Sequence, residues 1–355
     1  MKRLFVFLLL ATIPGGFASI ASAQEDCIAQ TWKGTIGAVP ATIEFSYDGK
    51  DDDLVGRYYY RTSLVDLLLF SDGSQPDRWK EIDPKGNVTG YLTLSCKGNA
   101  LSGTWSSPDG SKTLPVSAET VPAESYSSQR LADLKPTVAR RESIGNFHYE
   151  IFKASGFEDV TGLRLMGDGK ALADVNSALA ARFTSTLDDA INCRTSGRWR
   201  QRGDHDYYYE LKMSMVAWNE AFVVIGEKSS QYCGGIHPLY GAGATTYNLQ
   251  TGQPEDVSQW LIDRYRNEIP KDSPLGKIIM KHYAREDPCT DSIELSGDSA
   301  WPTSTGITFL PSTSAYAETA CVKEVNVPYK SLSFFLSPSG KTNVPAFQDR
   351  KRNDS

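Results

Sequence analysis

The chain reads as an α+β protein: an all-β antiparallel meander, a small sandwich or barrel, followed by a C-terminal α+β region. Three observations predict this. Residues 27–118 hold short alternating segments with turn signals roughly every 8–12 residues. Residues 143–340 alternate helical stripes with strands. Six cysteines follow an export leader, so disulfides brace whatever core forms.

The leader occupies residues 1–23. Lys2-Arg3 is a positive start, residues 4–13 are an apolar run, and Ala21-Ser22-Ala23 is a small-residue cleavage site. The run is too short for a stable membrane anchor, and no later stretch is long and apolar enough to span. The expected localisation is periplasmic or secreted. Losing Lys2 and Arg3 takes the formal charge from −6 to −8. A mildly acidic chain is a poor general nucleic-acid binder. With 40% hydrophobic and 23% charged residues it is neither disordered nor a multi-span membrane protein.

Residues 24–118 form the first domain. Trp32-x-Gly34-x-Ile36-Gly37 opens it, and Ala41-Thr42-Ile43-Glu44-Phe45 alternates. The next strand, 54–62, carries the triple tyrosine Tyr58-Tyr59-Tyr60, of which at least one ring faces away from the core as a candidate stacking ladder. Leu92, Leu94 and Cys96 share one face of strand 90–96. Turns at Lys97-Gly98-Asn99 and Pro108-Asp109-Gly110 complete the meander. Residues 119–142, rich in Ser, Ala, Arg and Lys, read as a partly helical linker.

The second domain spans 143–340. Leu172, Val175, Leu179, Phe183 and Ile191 mark a helix over 170–192. Strands follow at 207–216 and 221–228, joined at Trp218-Asn219-Glu220, with another at 245–249. Residues 256–265 read as a helix. Ser273-Pro274 starts a further one, with His282 on its apolar stripe as a core histidine. Late strands fall at 306–310 and 326–329, and 341–355 reads as a loose polar tail.

Cys27, Cys96, Cys193, Cys233, Cys289 and Cys321 allow fifteen pairings. Domain locality favours Cys27–Cys96, Cys193–Cys233 and Cys289–Cys321. The spacings give no metal cluster, and no cofactor is expected.

The usual catalytic spacings are missing: no G-x-S-x-G, no H-E-x-x-H, no S-x-x-K and no Gly-rich phosphate loop. His148, His205, His237 and His282 lie far apart, so no catalytic residue is assigned. His205 sits between Asp204 and Asp206, a solvated turn between strands, with a pH-sensitive group or a weak metal site as the alternatives. Arg194, Arg198, Arg200 and Arg202 crowd around Trp199, which makes Arg198 and Trp199 candidate binding residues in a long loop. The most unusual segment is Tyr232-Cys233-Gly234-Gly235-Ile236-His237-Pro238. Its paired glycines allow a tight turn that presents His237. A flexible loop, 240–244, then leads to Thr245-Thr246-Tyr247.

That segment carries a resemblance. Y-x-G-G-x-H-P, T-Y-N-L-x-T-G and D-V-x-x-W-L, over 232–261, are similar to the conserved stretch of the RsiV-type extracellular domain family. Ile307-Thr308-Phe309-Leu310 and Asn326-Val327-Pro328-Tyr329-Lys330 are similar to its closing strands. The 170–192 helix, with Asn176 and Phe183, resembles the smaller domain that usually precedes it. The resemblance covers 145–337 and makes 143–340 an RsiV-like α+β domain. Residues 31–116 resemble, more loosely, a β-rich domain of periplasmic proteins. The family's namesake is a membrane-anchored anti-sigma factor whose outer domain binds lysozyme. With no membrane helix and no sigma-binding segment here, only the binding module is implied.

The expected function is therefore that of an exported binding protein for a protein or glycan of the cell envelope, with lysozyme the leading candidate. The expected ligand-binding residues are Gly234, Gly235, His237, Tyr240 and Tyr247, with Arg198 and Trp199 in second place. An envelope hydrolase using His237 or His205 with a carboxylate is one alternative. A structural accessory protein of the envelope is the other.

Overall fold

The computed structural model describes residues 27–348, apart from 48–52, 65, 74, 76, 84, 122–124, 201–206, 235, 284–288 and 314–320; over 194–200 it describes the backbone alone. The leader read at 1–23 lies outside these residues. The chain divides into two compact units, Met1–Gln129 and Arg130–Ser355.

The first unit is a closed barrel of eight antiparallel strands. They are β1 (Thr31–Ile36), β2 (Val39–Tyr47), β3 (Leu54–Tyr60), β4 (Asp66–Ser71), β5 (Arg78–Ile82), β6 (Val88–Lys97), β7 (Ala100–Ser106) and β8 (Thr113–Thr120). β8 returns to pair with β1, Trp32 opposite Thr120, so no edge is left open. Period-two alternation turns Trp32, Ile43, Phe45, Leu92, Leu94 and Leu101 inward, each no more than 1% exposed. Gly34 is required where β1 meets β8: a Cβ there would lie 2.0 Å from the Ser117 carbonyl oxygen. The Cys27–Cys96 disulfide ties the segment before β1 to the end of β6.

The barrel interior also holds a carboxylate. Glu81, 3% exposed, accepts hydrogen bonds from the Tyr58 hydroxyl (2.5 Å), the Thr89 hydroxyl (2.5 Å) and Trp105 Nε1 (2.7 Å). Burial, with the neighbouring Glu81 charge, pushes the Tyr58 phenol well above its ordinary value. The candidate stacking ladder at 58–60 does not form. Tyr58 turns inward, and Tyr59 is covered by Tyr126 of helix α1 (Tyr126–Asp133), with ring centroids 5.3 Å apart. Tyr126 donates to buried Asp66 at 2.6 Å and lies 4.2 Å beneath the Arg57 guanidinium.

The second unit is built on a six-stranded sheet in the order β14-β13-β12-β11-β10-β9. Its strands are β9 (Thr137–Ile144), β10 (Phe147–Ala154), β11 (Phe157–Leu165), β12 (Tyr208–Trp218), β13 (Phe222–Tyr232) and β14 (Leu239–Asn248). Helix α2 (Lys170–Arg200) carries the chain from β11 back to a parallel β12, with Val160 opposite Leu211. Asn176 fastens α2 to the end of β11, accepting from the Leu165 N–H (2.8 Å) and donating to its carbonyl (2.9 Å). Phe183 meets Phe152 edge-on at 4.8 Å over Gly162.

The C-terminal third packs Trp260, Leu261, Leu275, Ile279, Ile307, Val327 and Leu332 against Ala217, Phe222 and Val224 of β12 and β13. It contains helix α3 (Pro274–Tyr283), the pair β15 (Ile293–Glu294) and β18 (Ser312–Thr313), and a three-stranded sheet of β16 (Ala300–Pro302), β17 (Gly306–Phe309) and β19 (Val325–Pro328). The other disulfides are Cys193–Cys233 and Cys289–Cys321, so all three join the pairs that domain locality favours. Three disulfides fit a protein that folds in an oxidising compartment. Among the described residues no helix is long and apolar enough to cross a membrane.

Five expectations need correction. The 119–142 stretch is α1 followed, from Thr137, by a full strand of the sheet, because β10 supplies the pairing that its polar sequence does not advertise. Residues 256–265 form two 3₁₀ turns, Val257–Trp260 and Asp263–Tyr265. Asp256 holds the first tight by accepting from the N–H and hydroxyl of Ser258. His282 is exposed, since the buried stripe of α3 runs through Leu275, Ile279 and Tyr283. The tail is not loose through 348: Val344 and Phe347 are core residues, and Phe347 stacks on Phe222 at 5.6 Å. Residues 240–244 are strand rather than loop. β13 provides a continuous ladder that overrides the poor strand propensity of two glycines.

Candidate functional site

The β13–β14 hairpin of the second unit carries most of the expected site. β14 pairs residue by residue with β13 from Phe222↔Asn248 out to Gln231↔Leu239. Near its root, Val223, Ile225 and Tyr247 are buried. Toward its free end the burial fails. Ile236 is 98% exposed, Tyr240 63% and Leu239 52%. Three large apolar side chains thus stand in water at one end of a rigid ribbon.

That end is braced. Cys233, one residue past β13, is bonded to Cys193 on α2. Gly234 follows with φ +97°, a left-handed conformation that suits glycine, and a Cβ there would meet the Tyr207 hydroxyl at 3.1 Å. Tyr207 in turn packs on Tyr232 with centroids 5.4 Å apart.

β14 is also an edge strand, and the two edges of the sheet differ. β9 presents Arg140, Arg141 and Glu142, charges that discourage pairing with another chain. The outer half of β14, Leu239-Tyr240-Gly241-Ala242-Gly243-Ala244, has none. On one face of the ribbon Gly243 lies opposite Glu227 and Gly241 opposite Ser229. The missing side chains leave a hollow of about 330 Å³ bordered by Arg182 of α2, Glu227, Ser229 and 241–245. Arg182 grips Glu227 through Nη2 at 3.0 Å and Nε at 3.1 Å. Burial raises the Tyr247 phenol above its usual range, and the Glu227 charge adds to it. Tyr209 is raised likewise, by burial first and then by Asp189.

The structure gathers Gly234, His237 and Tyr240 at the free end of the hairpin; His237 is half-buried beside Pro238. Tyr247 does not join them: it lies seven residue steps along an extended strand from Tyr240, about 23 Å. Gly235 and His205 lie outside the described residues. Arg198 and Trp199 belong to the last turns of α2, where a loop was expected, and only their backbone is described. Arg182, Glu227 and Ser229 were missed. The signal was present in the alternation: Glu227 shares a face with Val223 and Ile225, a charge directly after an apolar pair. Among the described residues no group of His, Cys, Asp or Glu is placed to hold a metal ion.

No family model matches the chain. No curated protein matches it either. Among solved structures it is similar to a member of the DUF3298 family from Bacteroides fragilis, at 12% identity and a TM-score of 0.39, covering 61% of this chain and 97% of that one. It is also similar to a DUF3298 family protein from Pseudomonas aeruginosa, at 14% identity and a TM-score of 0.33, covering 58% of this chain and 95% of that one.

Proposed function

We propose that this is a periplasmic or secreted binding protein that recognises a protein or glycan of the cell envelope through the free end of the β13–β14 hairpin. Lysozyme is the leading candidate ligand, on the resemblance of 232–261 to the RsiV-type domain. The observation that carries the reading is the exposure of Ile236, Leu239 and Tyr240 on a disulfide-braced end. Covering Ile236 completely returns about 1.5–3 kcal/mol, and covering the exposed half of Leu239 returns about half as much. Bracing lowers the ordering cost that a loose loop would add on binding.

The test is calorimetry of the whole exported chain with lysozyme, alongside an Ile236→Asp/Tyr240→Ala variant and His237→Ala. Saturable binding that the first variant loses supports the hairpin. Absence of binding by the wild type at low and moderate salt removes lysozyme and directs the search to peptidoglycan fragments. Binding that both variants retain refutes the hairpin as the site.

A further inference from the structure

We infer a second ligand site, for an oxyanion such as a carboxylate or a phosphate ester, on the β9–β10–β11 face. Two rows of side chains define it. Glu150 on β10 stands directly opposite Arg141 on β9 and Arg164 on β11. In the next row His148 stands opposite Ser143, and the Met166 N–H donates to the His148 carbonyl. Arg141, Ser143, His148, Glu150 and Met166 border a hollow of about 430 Å³.

The carboxylate of Glu150 is almost wholly buried while the side chains of Arg141 and Arg164 are 76% and 56% exposed. Arg164 donates to it through Nε at 3.1 Å and through Nη2, and Arg141 through Nε at 2.9 Å. These bonds, those of Arg164 foremost, hold the Glu150 carboxyl below its usual range. One cation neutralises one carboxylate. The second arginine leaves a positive charge in excess, fixed in place by the same anchor. Glu142, also on the border, does not cancel it, because Arg140 pairs with it at 2.5 Å and the Tyr149 hydroxyl donates to it at 2.7 Å. On this face two arginines therefore meet one glutamate, in a chain whose overall charge is −6.

The geometry leaves the useful donors outward. Arg141 spends Nε on Glu150, its side chain is 76% exposed and it borders the hollow, so its Nη1 and Nη2 groups are the donor pair suited to receive an oxyanion bidentately. The Ser143 hydroxyl and the His148 ring stand beside it, and Met166, 44% exposed, offers an apolar flank. A guanidinium already clamped loses little freedom on binding. The site lies apart from the hairpin, and its test does not depend on lysozyme.

The experiment is titration of the whole exported chain with inorganic phosphate and, separately, with glucuronate, followed by the arginine Nε–H resonances and by calorimetry, with sodium chloride matching the ionic strength. Both probes are expected to saturate in the millimolar range and shift the Arg141 signal. Arg141→Gln and Arg164→Gln should each weaken binding at least fivefold, and Arg141→Lys should weaken it less. Glu150→Gln discriminates further. It adds positive charge but frees both arginines, so a pre-arranged fork predicts weaker binding and plain charge attraction predicts tighter. Failure of both probes to saturate, unchanged binding in both Gln variants, or tightening in a folded Glu150→Gln protein would overturn the inference. Saturation by one probe alone identifies which oxyanion the site takes.

Discussion

Replacing Glu81 with leucine removes the acceptor shared by Tyr58, Thr89 and Trp105 inside the barrel. Thr89 is half-exposed and can turn to water, but Tyr58 is fully buried and the Trp105 ring is covered by Gly90. Trp105 Nε1 is stranded and the Tyr58 hydroxyl keeps only its 3.4 Å contact with the Tyr60 hydroxyl, so at about 1–3 kcal/mol per donor left short the variant should lose about 2–4 kcal/mol. Glu81→Gln keeps an acceptor oxygen for Tyr58 and Trp105 and should lose about 1–2 kcal/mol. The decisive variant combines Glu81→Leu with Tyr58→Phe. Removing the Tyr58 hydroxyl along with its acceptor should make the double variant no worse than Glu81→Leu alone, a coupling of about 1–2 kcal/mol. Hydrogen exchange of the slowest barrel amides reads this without requiring the two units to unfold together. Strict additivity of the two single substitutions, or Glu81→Gln as damaging as Glu81→Leu, would refute the reasoning. The same contact sets an alkaline limit. The Tyr58 phenol is raised in the folded barrel above its unfolded value of 10.0, so above that pH only the unfolded chain releases the proton. Stability contributed by Tyr58 is complete below that pH and should fall as pH rises beyond it; Tyr58→Phe should lose that part of the slope.

The remaining predictions concern the hairpin and the barrel seam. Cys193→Ser/Cys233→Ser removes a bond that spans 40 residues and should cost about 4 kcal/mol by loop entropy, with the loss concentrated at the 231–240 amides; uniform loss of protection across the sheet would show that the bond does not brace the hairpin locally. Gly34→Ala and Gly243→Ala should behave oppositely. The first forces a methyl against the Ser117 carbonyl and should lower the melting temperature sharply, whereas nothing lies within 4 Å of a Cβ at Gly243, so its thermal melt should stay within about 0.5 kcal/mol of wild type.

The barrel was legible because its strands advertise themselves locally. Residues 90–96 alternate cleanly, Pro108-Asp109-Gly110 can do little but turn, and the inward leucines fall at every second position. Closure was not legible, since pairing of β8 with β1 is a contact between distant segments. The central sheet was harder still. β9 reads Thr-Val-Ala-Arg-Arg-Glu-Ser-Ile, a polar string that becomes a strand because β10 is beside it. The Tyr240–Ala244 stretch misled in the same way, and there it mattered more, because the uncharged edge and the hollow exist only once that segment is extended. Of the expected binding residues, Gly234, His237 and Tyr240 stay together at one end of the hairpin. Tyr247 separated from them for the simple reason that a strand rises about 3.3 Å per residue. The arginine clamp on Glu150 could not be read locally, as its three residues sit on three different strands.

The three disulfides have a consequence for how the chain matures. Each bond joins a cysteine to the next one along the chain, Cys27 to Cys96, Cys193 to Cys233 and Cys289 to Cys321. No loop encloses another and none waits for a thiol still to come. A chain that meets an oxidant as it emerges, N-terminus first, can close each native bond in turn from the two thiols already through, so vectorial oxidation reaches the final pattern with no step of thiol–disulfide reshuffling.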